Sequence, residues 1–295
     1  MTQTNDFLME RRLLELDPQL HRQFTDTVFT LQRILSNFLL LFPNYTDHSE
    51  LHCLSVIEFC NNLIGPEQVL RMNADELYVL LLGCYLHDVG MGITQKDYEQ
   101  FLPKLDTESY LRTHPDAQVT DIVRAFHHEL SGLFIEKYAA LFDIPSPEHL
   151  FAIKQVARGH RRTDLFDEKE YPADWKLPNG NTVCLPYLAA LIRLADEIDV
   201  VALRNPKLLY DMEALTNPIS IMEFRKHDAI RSLEITDDSF VMTVATEDAM
   251  LLYALGELRG KMQKTLDYCR AVTQRRSPYQ IRQSYVLMRK QAQAL

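Results

Sequence analysis

Several large classes of protein leave no mark on this chain. No apolar run in its 295 residues is long enough to span a bilayer; the best, around Leu77–Leu86, is too short. Met1–Asp6 has no basic stretch followed by an apolar one, so no secretory leader is expected. The five cysteines (Cys53, Cys60, Cys84, Cys184, Cys269) are odd in number and make no CxxC pair, a pattern of reduced thiols in a cytoplasmic protein. There is no P-loop, no GxGxxG and no GxSxG, which leaves nucleotide-driven motors, dinucleotide redox enzymes and serine hydrolases without support. No internal repeat or low-complexity segment is visible. Positive charge is in deficit: 31 Lys and Arg against 41 Asp and Glu give a net charge of −10. That argues against coating nucleic acid by charge alone, though not against a local basic patch.

What is present is mostly helix. With 46% hydrophobic and 24% charged residues the chain can bury a core, which excludes disorder as its main state. Asp17-Pro18 opens a helix whose apolar positions, from Leu20 to Phe38, keep helical spacing until Pro43. Asp47-His48-Ser49-Glu50 opens the next with a capping box, and Gly65-Pro66 stops it. Asn73 and Glu76 repeat the box ahead of Leu77–His87, a run apolar nearly all round that belongs at the centre of a domain. Further helices are expected over 120–142, 147–159 and 186–203, with a long polar loop over 161–186. After Pro218 the pattern changes to two strands, 230–235 and 240–245, then a helix to about Arg270 and a helical tail after Pro278. The stripe Leu251, Leu255, Leu258, Met262, Leu266 reads as core or a dimer seam. The expected fold class is mainly α: a helical body over residues 1–217 and a small α+β extension over 218–295.

Histidines and aspartates gather at helix ends. His87-Asp88 closes the most apolar helix, where an imidazole and a carboxylate need partners. His48 and His52 share a helical face, His127-His128-Glu129 lies in a helix of apolar period, His160 follows Arg158-Gly159, and Asp196 takes an inward position one turn after Ile192. Each alone has a bland explanation: a wet helix face, a satisfied core histidine, or, for Asp196, a partner such as Arg193. Jointly, on separate helices, a shared metal centre explains them better.

The order His … His-Asp … Asp resembles the HD superfamily of metal-dependent phosphohydrolases. The likeness is carried by His52-Cys53-Leu54-Ser55-Val56, Leu86-His87-Asp88-Val89-Gly90 and Leu194-Ala195-Asp196-Glu197-Ile198-Asp199, within roughly residues 46–201. It implies that His52, His87, Asp88 and Asp196 hold a first metal, with His48 one turn away as rival to His52 or as a group facing the substrate. Members with two metals carry extra histidines, and His127 and His160 match them, with Asp88 bridging and His128 as the alternative to His127. Imidazole-rich sites favour Mn, Fe, Co, Ni or Zn, with Mg an option for the second ion. Many members follow His-Asp-x-Gly with lysine, where this chain has Met91; Arg161, Arg162 and Arg124 are the cations placed to receive phosphate instead.

The implied reaction is hydrolysis of a phosphoester or phosphoanhydride in a nucleotide or small nucleotide-like substrate, by a metal-activated water, with Asp88 as the carboxylate at the reacting centre and Asp199 assisting. Phe166, Tyr171 and Trp175 in the long loop either cover a base or tuck back onto the body. Competing readings are an HD-type nuclease on single strands, which needs Arg158, Arg161, Arg162, Arg275 and Arg276 in one groove, a catalytically silent HD sensor or interaction module, and hydrolysis of a non-phosphate substrate. A homo-oligomer or an ATPase partner is compatible with the extension; a membrane partner is not expected.

Overall fold

A computed structural model describes residues 7–35, 50–201 and 218–291. His48 and the expected boundaries at Pro43 and Asp47 lie outside them. Among the described residues the chain is mainly α, with eleven α-helices and a small C-terminal sheet.

The helices are α1 Leu8–Leu16, α2 Pro18–Leu35, α3 Glu50–Val69, α4 Ala74–Leu86, α5 Gln95–Phe101, α6 Glu108–Thr113, α7 Val119–Lys137, α8 Pro147–Arg158, α9 Leu185–Ile198, α10 Pro218–Ala229 and α11 Ala249–Arg276. The strands are β1 Trp175–Lys176, β2 Thr182–Val183, β3 Ile230–Ile235, β4 Ser239–Val244 and β5 Tyr285–Lys290.

α4 is the axis of the body. The Asn73 side chain accepts from Glu76 N and Glu76 reaches back to Asn73 N, so both orphan donors are satisfied at its start. Every side chain from Asp75 to Leu86 is buried, as an all-round apolar helix requires. α1, α2, α3, α8 and α9 surround it. In α3 the helical path breaks at Gly65 (φ 71) before one more turn begins at Pro66. The buried carboxylate at the head of α4 is satisfied locally: Asp75 accepts from His149 Nε2 (2.8 Å), Asn179 (3.0 Å) and Asn181 (2.6 Å). This knot ties α8 and the β1–β2 hairpin to the axis.

The C-terminal segment is not peripheral to the core. α11 lies along α9, and its Leu255, Met262, Leu266, Cys269 and Val272 join the same buried cluster as α4. The stripe expected along this helix is therefore core, with Leu258 half-buried beside it.

Two readings of the sequence need correction. α1, α5, α6, α10 and the β1–β2 hairpin are not expected from their short or weakly apolar patterns. The residues after Pro278 form no helix; Tyr285–Lys290 is a strand parallel to β4. Its apolar run Tyr285-Val286-Leu287-Met288 is too short to separate period 2 from helix. In the fold Val286 is buried while Tyr285 and Leu287 are exposed, and α11 supplies the crossover that a parallel pair demands. Of the two readings of the loop aromatics, the structure shows the second, packing on the body: Tyr171 is fully buried, Trp175 donates to Glu148 O (3.0 Å) and packs on Phe151, and Phe166 meets Tyr268. All five cysteines are buried and form no disulfide.

Candidate metal centre

His87 caps the C-terminus of α4, and Asp88 follows where the chain turns into a short 3-10 segment, Val89–Met91. That segment packs directly on α7 because residue 90 is glycine. A Cβ there would collide with His127 O, Ser131 N and Leu130 Cβ. Ser131 fastens the contact: its Oγ accepts from Gly90 N (2.9 Å) and donates to His87 O (2.6 Å). Gly159 does the same for α8 and α9, since its Cβ would strike Ala189, and the close approach brings His160 inward.

Two groups of buried ligand atoms result. His52, His87, Asp88 and Asp196 form one, and Asp88, His127 and His160 the other, with the candidate atoms of each group within 4.8 Å of one another. Asp88 is common to both. Its Oδ2 lies 3.5 Å from His52 Nε2 and 3.4 Å from His87 Nε2, and its Oδ1 lies 3.3 Å from both His127 Nε2 and His160 Nε2.

The proton positions follow from the partners. A carbonyl oxygen only accepts, so an imidazole nitrogen bonded to one must carry the hydrogen. His87 Nδ1 donates to Cys84 O (2.8 Å), His127 Nδ1 to Arg124 O (2.7 Å) and His160 Nδ1 to Ala157 O (2.6 Å). Each partner is the carbonyl three residues earlier. His52 Nδ1 donates to the Asp199 carboxylate (2.6 Å). In the neutral rings all four Nε2 atoms are then bare lone pairs. They face one another, at 3.1 Å for His52 and His87 and 2.8 Å for His127 and His160, and they face carboxylate oxygens. Burial pushes the His127 and His160 imidazoles below their ordinary 6.5 although Asp88 works the other way, so added protons do not relieve the crowding. Lone pairs converging on lone pairs in a dry site suit a cation, and mixed imidazole–carboxylate donors suit a transition metal.

Arg161 Nη2 lies 3.6 Å from Asp196 Oδ2. Burial alone would raise the Asp196 carboxyl; the Arg161 charge overrides it and holds Asp196 well below the carboxylate range. Arg193, one of the arginines that could have paired with Asp196, points elsewhere. Its guanidinium donates to Gly159 O (2.7 Å), Thr163 O (2.8 Å) and Arg161 O, bracing the turn that carries His160 and Arg161. The only sign of that task in the sequence is an arginine in the apolar run Leu191-Ile192-Arg193-Leu194.

His128 is buried but stands outside both groups; burial, with His160 and Arg158 nearby, pushes it down to about 3. Glu129 is held by Arg158 through two hydrogen bonds of 3.0 and 2.8 Å. His127 and Asp196 open onto a cleft of about 1000 Å³ that Arg124, Arg161 and Arg162 also line. Met91 lines it too, and its far wall comes from α10 and α11 through Phe224, Lys226, Lys261 and Lys264. Lys261 reaches back to Glu197, the neighbour of Asp196 (2.9 Å). This contribution of the C-terminal segment was not foreseen from the sequence.

A helical body with a His-Asp pair at the end of its central helix, facing a histidine on one neighbour and an aspartate on another, defines an HD domain. Residues 42–278 match the model of the HD-CE family, and the chain belongs to that family. The match runs through the helical body into α11. No curated protein matches the chain. Among the described residues no single helix is long and apolar enough to cross a membrane.

Proposed function

We propose that this protein is a metal-dependent phosphohydrolase that cleaves a phosphoester or phosphoanhydride of a nucleotide or small nucleotide-like substrate. The observation that carries the reading is the pair of buried ligand groups sharing Asp88 at the floor of an arginine-lined cleft. His52, His87, Asp88 and Asp196 would hold one ion, and His127 and His160 with Asp88 a second. Such ions lower the pKa of bound water and polarise phosphoryl oxygens. Asp199 fixes the His52 ring through Nδ1 and sets its Nε2 toward the centre. Arg161 is shared between Asp196 and the cleft, and Arg162 and Arg124 stand on the cleft wall, where phosphate oxygens gain charge-assisted hydrogen bonds.

The geometry favours a small substrate over a strand. Of the five arginines a nuclease groove would need, Arg158 is bound to Glu129, Arg276 donates to Leu165 O and Tyr171 O, and Arg275 lies over the Phe166 ring. Metal content by mass spectrometry on the wild type and Asp88→Ala, with a nucleotide panel assayed with and without chelator, tests the reading. Transition metal bound by the wild type and lost in the variant, with chelator-sensitive release of phosphate or nucleotide, is expected. No specific metal after reconstitution would sink it.

A further inference from the structure

The cleft has an aromatic lip. α6 carries Tyr110, and its ring stacks on His114 with centroids 4.3 Å apart and planes 15° from parallel. Behind it Phe126 of α7 meets the Tyr110 ring edge-on at 5.6 Å and 89°. The His114 ring is held by its Nδ1, 2.9 Å from Thr113 Oγ1 and 3.1 Å from Tyr110 O. Tyr110 is half-buried and His114 exposed, and both line the same cleft as His127 and Asp196. One face of the imidazole rests on Tyr110; among the described residues no other ring covers the opposite face.

α7 links this lip to the ligand groups. Asp121, Arg124 and His127 all line the cleft, and six residues of helix span about 9 Å. Phe126, which meets the Tyr110 ring, is the chain neighbour of His127, so α7 carries both the support of the lip and a member of the ligand groups. The loop aromatics Tyr171 and Trp175 are spent on the body and do not reach the cleft. Resting on the hydrolase reading above, we infer that His114 and Tyr110 form a base-stacking platform, so that the substrate class is a nucleotide rather than a base-free phosphoester. A flat π-face at the wet edge of a cleft that also carries Arg124 and Asp121 accepts any base by stacking.

The test compares adenosine 5′-monophosphate with ribose 5-phosphate, which differ only by the base. Calorimetry on the full-length, Mn-loaded protein gives both affinities. About tenfold tighter binding of the nucleotide is expected in the wild type, in line with base–aromatic stacking. His114→Ala should erase the difference, and His114→Phe, which keeps a flat ring, should retain it. His114 is exposed, so neither change threatens the fold; thermal melts verify this. Equal affinities in the wild type, no binding of either ligand, or a preference that survives His114→Ala would each overturn the inference. Turnover of a phosphoester panel on the same samples separates the two ideas. Base preference without turnover keeps the platform and sinks the hydrolase; turnover without base preference does the reverse.

Discussion

At the scale of single residues, the centre is built by fixing protons. Three histidines give their Nδ1 hydrogen to the carbonyl three residues back, and His52 gives its own to Asp199. Removing such an outer partner typically costs 10–100-fold in metal affinity. Asp199→Ala should weaken metal binding by roughly that factor while leaving the helical circular dichroism unchanged, as a chelator titration would show. An unaltered affinity would mean that Asp199 only caps α9. The four residues of the first ligand group are those the HD resemblance points to, His52, His87, Asp88 and Asp196, with His48, the rival to His52, outside the described residues. Their partners were not legible in the sequence: a backbone carbonyl has no letter of its own, and Arg193 reads as a charge on an apolar helix until the turn it braces is seen.

At the scale of elements, two contacts set the site. The first is the glycine-mediated approach of the Val89–Met91 turn to α7. Gly90→Ala must push α7 and its His127 away from Asp88, and overpacking of this kind costs about 1–3 kcal/mol. A fall in the guanidinium midpoint together with a lower metal stoichiometry is the expected outcome. The second is the knot at Asp75. Burial works to raise this carboxyl, but donors from His149, Asn181 and Asn179 override it and hold the pKa below the ordinary 3.8. Its stabilisation is therefore complete above pH 3.8 and lost as the pH falls through the lower native value. Asp75→Ala strands three donors and should cost about 1–3 kcal/mol at neutral pH, with the variant closing that gap on the wild type at strongly acid pH in urea titrations. The elements with strong periodicity or capping boxes (α2, α4, α7, α8, α9 and the β3–β4 hairpin) were readable in advance. The short helices α5 and α6 were not, because each is under two turns long and meets α7 through a few residues, Tyr110 on Phe126 for α6, so no apolar stripe marks them.

At the scale of the whole molecule, the residues after 217 were expected to be an extension, yet α11 shares the core and walls the cleft. A chain ending at residue 217 should lose cooperative thermal unfolding and express insolubly, since α9 would bare the face that Leu255, Met262 and Leu266 cover. A soluble, two-state truncated chain would show that the body stands alone. The sheet adds a matter of timing. β5 follows α11 in the chain, and it pairs in parallel with β4 only after the 28 residues of α11 have been laid across the body. During synthesis β4 therefore waits with one edge unpaired until residues 285–290 emerge, and that bare edge leaves a ribosome-bound chain open to pairing with a neighbour.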